Sequence, residues 1–232
     1  LKRIFMRQCV GRFCLLRKGF AYIFLHDVYP DYVGITAAEF NLPVIYLSGG
    51  AGLEMRSVEV TGGDINANLR HAFFIEDFQA VTAIRVKADT MGGRGFFLRN
   101  LKYFFFNEMR SALCADFQIV MDNVDEIKGD ILYTQGRLVI GDTPFGKTNI
   151  YILGGSEGYA ITNVTSVDCN GDAIYIENSD GQMSDVSIIN AAGNGYRTVG
   201  TGDSIATNVT VKGVTLFDVA LENNSQHVAN LM

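Results

Sequence analysis

Between Tyr159 and Leu221 the chain makes three short passes of one pattern: apolar, any residue, Asn or Asp, apolar, with a further apolar residue two places on in the second and third. The passes are Ile161-Thr162-Asn163-Val164-Thr165, Met183-Ser184-Asp185-Val186-Ser187-Ile188 and Ala206-Thr207-Asn208-Val209-Thr210-Val211. Their anchors are Asn163, Asp185 and Asn208, so the steps are 185−163 = 22 and 208−185 = 23. In each pass a polar residue interrupts a two-residue alternation. Asn and Asp tolerate the left-handed backbone conformation better than most residues, so a strand, one corner residue and a second strand can turn sharply without a loop. A fixed period of this length predicts an all-β solenoid of stacked coils.

The pattern runs backwards along the chain. Ser57 fits it, and Asp77, Asn100 and Asn123 fit it better, with steps of 20, 23, 23 and then 163−123 = 40. The long step carries the turn-rich Asp142 to Lys147 and is read as one enlarged coil with a protruding loop. Asn149-Ile150-Tyr151-Ile152 matches the pattern but falls out of phase, with a step of only 163−149 = 14 to Asn163. Val44 to Leu47 followed by Ser48 to Gly52 reads as a strand and glycine corner that begins the coil. The division predicted is 1–43 as an N-terminal cap or docking arm and connection, 44–221 as the parallel β-helix and 222–232 as an end segment. From Ser57 to Asn208 about seven coils at ~4.8 Å give a rod of roughly 30 Å. Phe73 and Phe96 are one coil apart, as are Phe74 and Phe97, so both pairs are expected to stack inside the coil; a sugar-binding aromatic face is the functional alternative. Tyr103 to Phe106 cannot all point inward, because strand neighbours alternate faces.

The stretch from Leu1 to Leu25 mixes basic and large apolar side chains. Ile4, Phe5, Cys9, Phe13 and Leu16 fit one face of a helix, which suits a plug over the open end of a coil, an arm docked on another subunit or a membrane-surface helix. Residues 1–26 carry a charge of +6, and the rest of the chain then carries −6 − 6 = −12. An acidic body disfavours nucleic acid as a partner. No apolar run reaches the ~18 residues that span a bilayer, so membrane insertion is not expected. Cys9, Cys14, Cys114 and Cys169 form no Cys-x-x-Cys pair, and His26, His71 and His227 are scattered, which argues against a zinc site. Cys114 and Cys169 read as small buried residues. No cofactor is expected.

The period, the Asn corners and the β-branched strands resemble the right-handed parallel β-helix of the pectate-lyase-like superfamily, over about Ser57 to Leu221. Within it the chain looks most like the tailspike or capsule-depolymerase branch of bacteriophage proteins. The passages carrying that likeness are Asn170-Gly171-Asp172-Ala173-Ile174-Tyr175-Ile176 and Gly193-Asn194-Gly195-Tyr196. The resemblance implies a homotrimeric spike on a virion tail, or otherwise a secreted or cell-surface protein. It would bind and cleave bacterial surface polysaccharide by hydrolysis or elimination. The alternative is a non-catalytic receptor-binding or stalk module. Asp172 faintly resembles the aspartate segment of polygalacturonases, but Arg85-Val86-Lys87 precedes it and no His follows suitably, so those roles do not carry over.

The candidate catalytic residues are Glu157, Asp180 and Asp203, with steps of 180−157 = 23 and 203−180 = 23. One coil separates backbones by about 4.8 Å and two coils by about 9.6 Å, a range that suits the paired carboxylates of glycosidases. Crowded like charges would also raise one pKa, as a general acid requires. The bland alternative is turn over turn, since all three sit among Ser and Gly. A metal held by the same column is the weaker option. Asp172 and Glu177 lie beside the column, Tyr175 and Tyr196 are placed to flank a sugar ring, and Arg197 to meet an acidic sugar.

Overall fold

The computed structural model describes residues 2–7, 14–31, 43–62, 71–136, 148–215, 219–222 and 227–231. The described residues contain no helix. Their strands are β1 (Lys2–Arg7), β2 (Cys14–Asp31), β3 (Ile45–Thr61), β4 (Phe73–Asp89), β5 (Phe96–Ala112), β6 (Ile119–Val124), β7 (Ile127–Gln135), β8 (Ile150–Leu153), β9 (Tyr159–Cys169), β10 (Ile174–Glu177), β11 (Gly181–Ala191), β12 (Tyr196–Val199), β13 (Ser204–Val214), β14 (Val219–Glu222) and β15 (His227–Leu231). All 15 join one sheet, and each neighbouring pair is parallel. The rungs are β1, β2, β3, β4, β5, β6 with β7, β8 with β9, β10 with β11, β12 with β13 and β14 with β15. The protein is a parallel β-helix. Ten rungs and nine intervals of ~4.8 Å make a rod of about 43 Å.

Corners align in columns. The register places Asp27, Ser57, Arg85, Glu108, Ile131, Asn163, Asp185 and Asn208 above one another, all with φ between 51° and 60°. A second column holds Gly49, Asp77, Asn100, Asn123, Gly154, Asn178 and Gly200, again all at positive φ. Amide ladders run along the columns: Asn123 Nδ2 donates to Asn100 Oδ1 at 2.9 Å, and Asn100 Nδ2 to Asp77 Oδ1 at 3.0 Å. Asn208 Nδ2 donates likewise to Asp185 Oδ1 at 3.0 Å. Asn100 therefore lies over Asn123 in the adjacent coil, as the period predicts.

The long step from Asn123 to Asn163 has a different cause from the one expected. The two residues belong to different columns, and the residue stacked on Asn163 is Ile131. One larger coil does exist, since the step from Ile131 to Asn163 is 163−131 = 32, against 185−163 = 22 for the next one to Asp185. The segment Asp142 to Lys147 lies outside the described residues. Asn149 is not a corner. It is buried before β8, where its amide donates to Ser166 Oγ at 2.9 Å and to the Val167 carbonyl at 3.1 Å.

Ile131 is the poorest fit to its corner. It is β-branched, holds φ 60° and is 38% exposed. A β-branched residue in this region is strained by about 1–3 kcal/mol. Ile131→Asn is expected to stabilise the fold by about 1 kcal/mol, by relieving that strain and removing an exposed apolar group. An unchanged or lower midpoint in urea unfolding would contradict this.

The coil interior is a continuous apolar core that includes Phe73, Phe96, Phe104 and Phe106. Phe73 and Phe96 stack with centroids 4.6 Å apart and planes 3° from parallel. Phe74 and Phe97 do not join them. They lie half-buried on the outer surface and meet edge to face at 4.7 Å. Alternation divides the aromatic run as expected: Phe104 and Phe106 are buried, while Tyr103 and Phe105 are 43% and 48% exposed. Cys14, Cys114 and Cys169 are buried free thiols, and burial pushes those of Cys114 and Cys169 up to about 12 and about 11. Cys9 lies outside the described residues.

The N-terminal segment corrects the helical expectation. Cys14 to Val28 runs parallel to Ile45 to Val58, so the solenoid begins before Val44 and takes in part of the expected connection. Ile23, Leu25 and Val28 point into the core. β1 adds a further parallel strand on β2. At the other end β15 still pairs with β13, so the repeat also outlasts Leu221.

Candidate functional site

The short strands β8, β10 and β12, together with β6 and the first residues of β3 to β5, form one flat outer surface. Pleating turns every second side chain outward, and the parallel register then stacks like positions into columns. One column reads Tyr46, Phe74, Phe97, Val120, Tyr151, Tyr175, Arg197. Two positions further along each strand the next reads Ser48, Glu76, Arg99, Asp122, Leu153, Glu177, Val199.

The first column is an aromatic ladder. Tyr46 meets Phe74 edge-on at 5.2 Å, and Tyr151 meets Tyr175 edge-on at 4.9 Å. Phe117 fills the Val120 gap by approaching Tyr151 at 5.4 Å. Guanidinium groups cap the rings: Arg94 lies 4.5 Å from the Phe97 centroid, and Arg197 lies 5.3 Å from that of Tyr175. Each arginine is also tied to an acid, Arg94 to Asp116 at 3.2 Å, Arg99 to Glu76 at 3.0 Å and Arg197 to Asp172 at 3.5 Å. Tyr46 donates its hydroxyl to Glu76, and Tyr151 donates to Glu177 Oε2 at 2.9 Å. Burial and the Glu177 carboxylate hold the Tyr151 hydroxyl well above its ordinary pKa, so it remains a donor.

Of the residues expected to bind substrate, Asp172, Glu177, Tyr175 and Arg197 meet on this surface. Tyr196 does not. It occupies an inward-facing position and is 0% exposed, with its ring inside the coil. Its hydroxyl and that of buried Tyr159 make no well-formed hydrogen bond among the described residues, and burial raises the pKa of both. Tyr196 belongs to the core.

The acidic column is only partly a column. The register pairs Gly181 with Tyr159 and with Ser204. Asp180 and Asp203 therefore occupy equivalent positions one rung apart, whereas Asp180 stacks on Gly158 and Glu157 lies one position earlier. The even spacing of the three acids misleads because the true step between their rungs, from Tyr159 to Gly181, is 181−159 = 22. All three acids are exposed, in turns beyond the second corner column. Asp180 accepts the backbone N–H of Asp203 through Oδ1, a turn-shaping bond. Among the described residues no group of three or more His, Cys, Asp or Glu side chains is arranged to hold a metal ion.

The sequence reading missed a cleft of about 310 Å³ at the second corner, lined by Asp77, Gln79, Asn100, Lys102, Asn123 and Asp125 among others. The Asn ladder was its visible signal, since it forms the floor. The aromatic surface was missed in part too, because Phe74 and Phe97 were expected to stack inside the coil.

No family model, curated protein or solved structure matches the chain.

Proposed function

We propose that this β-helix binds an extended polysaccharide along the aromatic ladder from Tyr46 to Tyr175. The ladder supports the reading because half-exposed rings repeat at a ~4.8 Å rise along the rod, beside carboxylates and a phenol that hydrogen-bond hydroxyl groups. A long row of surface aromatics, with Phe117 beside the one aliphatic position at Val120, is unusual unless something covers it. The reading is tested by affinity electrophoresis in gels cast with soluble glycans, where retention of the parent is expected and free migration through every glycan would refute it.

Cleavage is a second reading, favoured by the in-register pair Asp180 and Asp203. A reducing-end assay tests it. Asn at position 180 keeps an oxygen for the Asp203 N–H, so Asp180→Asn is expected to fold as the parent does. Retention on glycan gels should be unchanged, because the acids lie off the ladder. If reducing ends form with the parent and vanish with this variant, the pair is catalytic.

The homotrimer and the virion spike are also proposals. Tyr22, Phe24, Tyr103 and Phe105 are exposed on the face after the second corner column and suit contact between copies. Light scattering at micromolar concentration is expected to report three chains; a monomer would end that proposal.

A further inference from the structure

We infer that the polysaccharide recognised by the aromatic ladder carries no acidic groups. This rests on the binding proposed above and concerns the charge of its ligand. The described part of the surface holds three arginines, Arg94, Arg99 and Arg197, against five carboxylates, Glu76, Asp116, Asp122, Asp172 and Glu177. Every one of those arginines is already engaged by a carboxylate and lies over or beside a ring. A uronate or a phosphorylated sugar would have to break one of these pairs and strand its acid against the ladder.

The remaining acids point the same way. Glu177 and Asp122 lie two rungs apart on one column, on either side of Leu153, with the Tyr151 hydroxyl on Glu177. Neither makes an ion pair among the described residues. Their backbones, about 9.6 Å apart along the stack, lie on either side of the Tyr151 rung, so two carboxylates offer hydrogen-bond acceptors beside the rings. Acceptors suit sugar hydroxyls and repel sugar acids. Among the described residues the other basic group near the ladder is His71. Burial lowers its pKa to about 4, and its Nδ1 accepts the Arg94 N–H at 2.9 Å, so it is neutral at pH 7. The arrangement is a selectivity device: apolar rings set affinity, and surplus carboxylates exclude polyanions.

Two matched pairs of polymers test this, each differing in charge on one backbone: methyl-esterified against de-esterified polygalacturonate, and hydroxyethylcellulose against carboxymethylcellulose. In low-salt affinity gels the neutral member of each pair that is retained is expected to bind about tenfold or more tightly than its acidic partner. The Asp122→Asn, Glu177→Gln double variant is expected to narrow that ratio several-fold. An acidic polymer bound as well as or better than its neutral partner would overturn the inference while leaving polysaccharide binding intact. An unchanged ratio in the double variant would overturn the assignment to these carboxylates. If neither member of either pair is retained, the binding proposal fails on these backbones and this inference fails with it.

Discussion

Phe96→Ala is expected to lower the stability of the fold by about 3–5 kcal/mol, the cost of deleting a fully buried aromatic side chain. Phe96 is 0% exposed and lies flat against Phe73 at 4.6 Å. Two terms add. The transfer of a phenyl ring out of water is lost, and a cavity opens that neighbouring rungs cannot close, because hydrogen bonds above and below fix their spacing. Phe97→Ala is the matched control. Its ring sits on the outer surface, in contact with solvent, so its removal is expected to cost much less. Urea unfolding of the two variants measures the difference; equal losses would mean that the inward and outward assignments of the two rings are wrong.

Tyr175→Ala is expected to weaken glycan binding by about 2 kcal/mol, roughly 30-fold, if the ladder is the binding surface. Tyr175 is the ring on which Tyr151, Arg197 and the Asp172 pair converge. Its side chain is half-buried and points away from the core, so folding should be little affected. Phe105→Ala removes a more exposed ring from a different face and is expected to leave retention unchanged. Loss of retention in Phe105→Ala but not in Tyr175→Ala would move the binding surface to the other face.

The corner residues show how far the sequence could be read. Asn100, Asn123, Asn163 and Asn208 were legible because Asn is chemically suited to positive φ. Arg85, Glu108 and Ile131 hold the same geometry without that suitability, so their column could not be followed and was joined to its neighbour. The strand at Cys14 to Asp31 was illegible for a related reason. Its outward positions Tyr22 and Phe24 are apolar like its inward Ile23 and Leu25, so the alternation carried no contrast. Phe73 and Phe74 posed the same problem, and only the structure separates the core ring from the surface ring. At the site, Asp172, Tyr175, Glu177 and Arg197 were found because they share one stretch of chain. Their partners Tyr46, Phe74 and Asp122 come from earlier coils, and register alone brings them alongside.

That register also fixes the unit in which this molecule can change length. Phe73 stands over Phe96, and each later residue of β4 over its counterpart in β5. Excision of residues 73–95 would join Ala72 directly to Phe96 and set β5 where β4 had been, with every side chain still on its own face. The rod would shorten by one strand spacing, about 4.8 Å. Excision of one residue fewer would turn the following strand over, carrying its core residues into solvent. Insertions obey the same arithmetic, so whole turns are interchangeable parts while single residues within a strand are not.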